Sequence, residues 1–531
     1  MSHSTIPTLI PHPLRASTAG STPTGAELRV ALADASLGPI LETVTALAAR
    51  TRRVPVVHVT TDAHVRVELG LDADAAGIAP AAGFDPRPQG ADERFVIVSE
   101  DGVSVVRAVS TEGAFRGLIT ILQALELAEE GITLPALTVV DGPAYAWRGL
   151  SFDTVRHLYP REELHAVIDL LAYHRFSVLH LHLSDTQGWR LESPAYPLVG
   201  SRGTDGAREH LTRAEFSDLV AYAAARFITV IPELDLPGHT AAAIAAYPEL
   251  DIVGGFDHPQ VKYLAPHNAA AVTFAQTVLT ELAEISPSPY LHIGGDEAFG
   301  MPDDEYAEFV RILHTHVRSL GKRVVGWQEA ARAEVFEPTD VLQFWIAEKD
   351  AFDAEAMRAA VPEEYHPLVE MAAKTFAHAP GDIGLANARD TPILVSSSSP
   401  LYLDRRHAEG RLDADGSTEP GFPHYEPERT ADLGSWNPAE HARTALQNAR
   451  VVGVEAAIWA ETIEGIDDLA FLLLPRLPLV AERMWQPAAY DWTETAIRLR
   501  AQTAAWNNLG FANHYRSVDV FGEPELAAAS E

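Results

Sequence analysis

Apolar and polar positions follow two regimes along the chain. From Glu27 to about Val140 the apolar runs are short. Leu28–Leu32 and Val54–Val59 read as strands around a helical stretch near Leu41–Ala49. Phe95–Val98 and Val103–Val106 are joined by Glu100-Asp101-Gly102, and Asp-Gly between two apolar runs is a hairpin signal. Ala114, Leu118, Ile119 and Leu122 then fall at helical spacing. The pattern predicts a small α/β domain over 26–142, ending at the turn residues Asp141-Gly142-Pro143. Residues 1–25 are rich in Ser, Thr and Pro and are expected to form a loose tail.

From Trp147 onward strand-like runs occur near 148–153, 177–183, 227–233, 289–294, 323–327, 340–345, 392–396 and 453–459. Helical patterns follow most of them. Leu164, Val167, Ile168 and Leu171 fall at i, i+3, i+4, i+7 just after Pro160. Thr212 and Glu215 form a capping-box pattern ahead of Phe216, Leu219, Val220 and Ala223. Strands alternating with helices imply a parallel sheet, and eight units predict a closed (β/α)8 TIM barrel over 143–490. Long inserts near 347–390 and 405–436 interrupt its second half, and a C-terminal helix and tail are expected over 491–531.

Composition narrows the function classes. Asp plus Glu number 74 against 40 Lys plus Arg, a net charge of −34. That excludes the basic footprint of a nucleic-acid binder. A hydrophobic fraction of 47% supports a real core. Cysteine is absent, which excludes thiolate nucleophiles and Cys-ligated metals. No run of about 18 apolar residues occurs, so no membrane-spanning helix is expected. The first residues hold no apolar run that reads as a signal peptide, so a cytoplasmic location is expected. The bias to Arg and Ala fits a GC-rich bacterial source.

Polar residues gather where the barrel strands end: Asp153, Arg156 and His157; His180, His182 and Asp185; Glu233, Asp235 and His239; Asp296 and Glu297. In a barrel these ends share one face. Asp296-Glu297 follows two glycines, and paired carboxylates are the equipment for acid/base work on an acetal. Trp327, Trp345 and Trp459 close three strands, where aromatic rings stack on sugar faces; Trp189 and Trp436 are weaker candidates. His180 and His182 share one strand face. With Asp185 and His239 they could hold a metal for assisted hydrolysis, or they could be core histidines held by Glu233 or Asp235.

Taken in order, these segments resemble the β-N-acetylhexosaminidases of glycoside hydrolase family 20. The likeness rests on His292-Ile-Gly-Gly-Asp296-Glu297-Ala298, with Trp147-Arg148-Gly149-Leu150, Arg156-His157, His180-Leu-His182-Leu-Ser-Asp185 and Ile231-Pro-Glu233-Leu-Asp235-Leu-Pro-Gly-His239 in support. Later come Gly326-Trp327, Tyr402-Leu-Asp404, Trp459-Ala-Glu461, Pro475-Arg476 and Ala481 to Trp485.

The resemblance implies an exo-acting, retaining enzyme whose substrate supplies its own nucleophile, the C2 acetamide oxygen. It implies no metal and no organic cofactor. Glu297 would be the general acid and base, with a raised pKa. Asp296 would orient the acetamide and stabilise the charged intermediate, and Tyr402 would donate to the acetamide oxygen. Trp327, Trp345 and Trp459 would wall the sugar. Arg156, Asp404 and Glu461 would hold its hydroxyls, while Asp185 and His239 would support the acid pair. The implied partner is an oligosaccharide or glycoconjugate ending in β-linked GlcNAc or GalNAc. Release of a disaccharide, as by a lacto-N-biosidase, is the alternative within the family. Thr186 stands where many relatives have a second acidic residue after Asp185.

Overall fold

The computed structural model describes residues 8–522 except 84–86, 88–91, 130, 201–208, 253–257, 415, 417 and 488–489. Its centre is a closed barrel of eight parallel strands. In chain order they are Trp147–Asp153, Val178–His182, Thr229–Glu233, Tyr290–His292, Arg323–Trp327, Val341–Phe344, Ile393–Val395 and Val451–Ile458. Each coincides with one of the runs read from the sequence. Strands buried on both faces show as continuous apolar runs, and every residue of the first strand is buried.

Inside the barrel the side chains lie in layers. One apolar residue from each strand forms the lower layer: Trp147, Val178, Ile231, Tyr290, Val325, Val341, Leu394 and Val452. Above it the filling turns polar, with His180, Glu233, His292, Gln343 and Glu455 all buried. Gly149 makes room for this layer, since a Cβ there would stand 2.1 Å from Glu455 Oε2. The barrel thus grows more charged towards the ends of its strands.

Helices cover the outside where the spacing predicts them. Arg161–Tyr173 follows Pro160. Arg213–Ala224 starts with both bonds of the Thr212–Glu215 capping box. The fifth strand leads only into a 3-10 turn, Gln328–Ala333. The insert after the sixth strand folds into helices Ala354–Ala360, His366–Phe376 and Ala379–Ala388. Its last helix is pinned to the fifth-strand turn by Arg332, which donates twice to Asp382 at 2.8 and 2.7 Å.

The small domain is a mixed sheet with helices Gly38–Thr51 and Thr111–Ala124. The predicted hairpin pairs Phe95–Glu100 with Val103–Ala108. Asp101 and Gly102 both take positive φ there, 50° and 81°, as a tight hairpin turn requires. One expectation needs correction. Arg15–Gly25, expected within a loose tail, is an edge strand paired with Gly131–Asp141. Backbone bonds order it where its side chains offer little to bury. The C-terminal segment is also packed in: Trp506 is buried and donates to His174 Nε2 at 3.1 Å.

Buried ions weld the small domain to the barrel. Glu93 accepts from Arg116 at 2.9 Å and from Arg148 at 2.5 Å. Asp141 accepts from Arg175 and from the Trp485 indole, each at 2.9 Å.

Candidate active site

The fourth strand ends in a turn that only glycine permits. Gly294 and Gly295 take φ of 70° and 106°. A Cβ on Gly294 would lie 1.7 Å from Asp235 Oδ1. The third and fourth strands therefore close on each other, and the Gly295 N–H donates to Asp235 Oδ1 at 3.1 Å. The Tyr306 hydroxyl donates to the Gly295 carbonyl. The turn delivers Asp296 and Glu297 to one imidazole: His239 Nε2 stands 3.6 Å from Asp296 Oδ2 and 3.7 Å from Glu297 Oε2.

Behind His239 the charges alternate. Its Nδ1 meets Asp185 Oδ1 at 3.0 Å. Asp185 Oδ2 accepts from Arg156 at 2.7 Å and meets His182 Nε2 at 2.9 Å. Burial opposes the charge on each group, but the partners outweigh it. Arg156 and His239 hold the Asp185 carboxyl well below its ordinary range. Asp185 and Asp235 hold the His239 imidazole well above its own. Glu297 behaves differently. Burial leads, Asp296 and Asp185 add to it, and the His239 cation only partly opposes, so its pKa is raised to about 7. Its side chain is 29% exposed at the cleft wall. A carboxyl that holds its proton near neutrality and still reaches the cleft suits proton donation.

Four rings line the space in front of the pair. Trp327 and Trp459 lie 6.0 Å apart, Trp459 and Tyr402 5.8 Å, and Tyr402 and Trp345 6.3 Å with planes only 5° apart. Two of the three indole N–H groups are anchored by an acid: Trp327 donates to Glu233 at 2.8 Å and Trp345 to Glu329 at 3.1 Å. Arg156 lies over the Trp459 ring at 5.6 Å and reaches Glu461 at 3.6 Å. Asp404 is buried, and both its carboxylate oxygens lack a hydrogen-bond partner among the described residues. Burial, then the charge of Glu461, raises its pKa to about 7. Every site residue expected from the sequence thus belongs to one connected set. Trp189 and Trp436 do not: the first packs on Phe274 and the second lies beside His441.

The metal alternative meets a different geometry. His180, His182, Asp185 and His239 do not form one group. They divide among three clusters: His180 with Glu233 and His292, His182 with Glu233 and Asp235, and Asp185 with Asp235 and His239. His182 Nδ1 is 2.5 Å from Glu233 Oε2, His180 Nδ1 2.8 Å from Glu455 Oε1, and His292 Nδ1 3.0 Å from Glu233 Oε1. Two ligands of one tetrahedral zinc stand about 3.3 Å apart. These contacts are shorter and spend the ring nitrogens on hydrogen bonds to carboxylates. The core-histidine reading fits them.

Some participants escape the sequence reading. Gln187 accepts from Arg156 at 3.0 Å, beside Asp153, a strand-end residue already read from the sequence, which accepts from the same guanidinium at 2.9 Å. Glu329 anchors Trp345. A carboxylate two residues past Trp327 follows the strand-end rule that picked out Asp185 and Glu297, so that signal was present. Beyond Glu297 a cavity of about 210 Å³ is lined by Gly295, Met301, Tyr306, Glu329 and His378. It sits between the catalytic turn and the helical insert.

Comparison with known proteins matches this geometry. The model of the glycosyl hydrolase family 20 catalytic domain matches residues 145–305 and 300–488. A β-N-acetylhexosaminidase of Cellulomonas fimi is 35% identical over 443 residues, covering 80% of this chain and 81% of that protein. A β-hexosaminidase of Akkermansia muciniphila is 31% identical over 71% of this chain and 76% of its own. The structure of the Streptomyces plicatus N-acetyl-β-hexosaminidase in complex with thio-NAglucal superposes with a TM-score of 0.79 at 28% identity, covering 98% of both chains. With a closed barrel, an acid pair at its strand ends and these relatives, the chain belongs to glycosyl hydrolase family 20 and is a glycoside hydrolase.

Proposed function

We propose that this β-N-acetylhexosaminidase removes terminal, non-reducing β-linked GlcNAc or GalNAc by substrate-assisted catalysis. The observation that carries the reading is the Asp296–Glu297 pair facing a slot walled by Trp345, Tyr402, Trp459 and Trp327. The planar acetamide lies among these rings, with its N–H towards Asp296 and its carbonyl oxygen accepting from the Tyr402 hydroxyl. That oxygen attacks the anomeric carbon as the glycosidic C–O bond breaks. Glu297 passes its proton to the leaving oxygen. The resulting oxazolinium ring carries positive charge, which the Asp296 carboxylate stabilises. Glu297, now ionised, takes a proton from water as that water attacks the anomeric carbon. The ring opens, the configuration is retained and Glu297 is protonated again.

Asp404 supports an exo mode of action. Two buried acceptor oxygens without donors are costly, and the hydroxyls of a terminal sugar supply the donors. Arg156 and Glu461 close the same end, which favours one sugar over a disaccharide.

The test is hydrolysis of an aryl β-N-acetylglucosaminide. Glu297→Gln is expected to lower kcat/KM by about 100-fold or more, the scale of a lost general acid. Asp296→Asn should lose a similar factor. A thiazoline mimic of the intermediate should inhibit strongly. Full activity in Glu297→Gln, or indifference to the thiazoline, would overturn the mechanism. A product assay with lacto-N-tetraose separates monosaccharide from disaccharide release.

A further inference from the structure

Glu329 brings a third carboxyl to the slot. It lies in the turn after the fifth strand and is 1% exposed. Its Oε2 accepts the Trp345 indole N–H at 3.1 Å, while its Oε1 is buried without a hydrogen-bond partner among the described residues. Asp296 Oδ1 is in the same condition. After burial, Asp296 is the strongest influence on the acidity of Glu329.

Four groups face Glu329 electrostatically: Asp296 from the fourth-strand turn, Tyr306 from helix Asp303–Ser319, Arg332 from its own turn and Asp382 from the insert. The one cation among them is committed, since Arg332 donates twice to Asp382. Tyr306 gives its hydroxyl to the Gly295 carbonyl. Neither supplies the missing donor. Two carboxyls that each hold a buried oxygen without a donor, and that repel each other's charge, are relieved by a proton on one of them. Asp296 must be ionised to stabilise the intermediate, so the proton belongs on Glu329. Its pKa, raised by burial and then by Asp296 to about 8, is consistent with that placement.

We propose that Glu329 is a positioning residue for the reaction, holding Trp345 through the indole N–H and Asp296 through a proton on its own carboxyl. The inference rests on the proposed function, in which Asp296 and Trp345 receive the acetamide. The turn after the fifth strand then braces one wall of the slot and the charge at its base together.

Glu329→Gln and Glu329→Ala test this on an aryl β-N-acetylglucosaminide. Glutamine keeps an acceptor for Trp345 and a donor for Asp296, so its kcat should stay within about threefold of wild type. Alanine removes both, and kcat should fall about 100-fold with little change in KM, the scale of lost positioning. The pH profile adds a readout that fold support alone would not move. Glu297 loses its proton near pH 7 and Glu329 near pH 8 in the wild type, so above about pH 8 log kcat/KM should fall with a slope of about −2. In Glu329→Gln the slope should relax to about −1.

Wild-type kcat in the alanine variant, equal impairment in both variants, or an unchanged slope in the glutamine variant would each overturn the proposal. The glutamine profile decides the matter even if the alanine variant folds poorly. Wild-type turnover and thiazoline inhibition test the underlying mechanism separately. If those fail, this inference fails with them; if they hold, the Glu329 variants judge Glu329 alone.

Discussion

Glu297 occupies a left-handed backbone position, φ 48°, that a side-chain-bearing residue rarely takes. His239, which faces it, does the same at φ 53°. Strained positions persist where the surroundings over-determine them, and here the two bring acid and cation within 3.7 Å. The cation has a calculable sense. It lowers the pKa that burial raises, leaving Glu297 at about 7. In the proposed mechanism Glu297 is protonated in the first step, so kcat/KM should fall as pH rises through about 7. His239→Asn removes the cation beside Glu297 and leaves the charges of Asp185 and Asp296 less compensated. Both changes favour the protonated acid, so the alkaline limb should move to higher pH. A limb that moves down, or stays, would remove His239 from this role. The residues that set this behaviour were legible because glycines, histidines and carboxylates mark the strand ends. Glu329 and Gln187 were not singled out, because no glycine or histidine flanks the first and the second is neutral.

At the scale of elements, legibility follows burial. The eight barrel strands are enclosed on both faces, so their apolar runs are continuous and their positions could be read directly. Arg15–Gly25 is the opposite case. It is mostly exposed, contains Pro23 and is held by main-chain pairing with Gly131–Asp141. An edge strand tolerates proline, and its side chains carry no apolar signal. The insert at 347–390 shows as an interruption of the barrel pattern, but its three helices bury few residues and could not be placed from periodicity. The turn after the fourth strand makes the sharpest prediction at this scale. In Gly294→Ala the new methyl meets Asp235, which must move and release the Gly295 N–H. Asp296 and Glu297 ride on that turn, so activity should drop by about 100-fold or more. The loss should appear in kcat, while the folded barrel persists by circular dichroism. Wild-type kcat in this variant would show that the turn does not set the acid pair.

At the scale of the whole molecule, the excess of 34 acidic charges divides between surface and interior. Part of the interior share is paired with arginines, as Glu93 and Asp141 are, and part with histidines in the barrel. Burial opposes the charge on His180, but Glu233 and Glu455 outweigh it and raise its pKa to about 9. His182, between Glu233 and Asp185, is raised well above its ordinary value. Both imidazoles therefore hold a proton in the folded chain that they lose near pH 6.5 when unfolded. Between about pH 7 and 9 the folded state binds more protons, and stability must decline as pH rises. For His180 the contribution is complete below pH 6.5, is lost by about pH 9 and amounts to on the order of 3 kcal/mol. A surface of −34 would also lose stability on losing protons, through self-repulsion. Salt separates the two causes. Exposed charges are screened over about 8 Å at physiological ionic strength, and buried pairs far less. Denaturant midpoints measured from pH 7 to 9 should therefore fall at both low and high salt. A fall abolished by salt would assign the effect to the surface and leave the barrel histidines neutral.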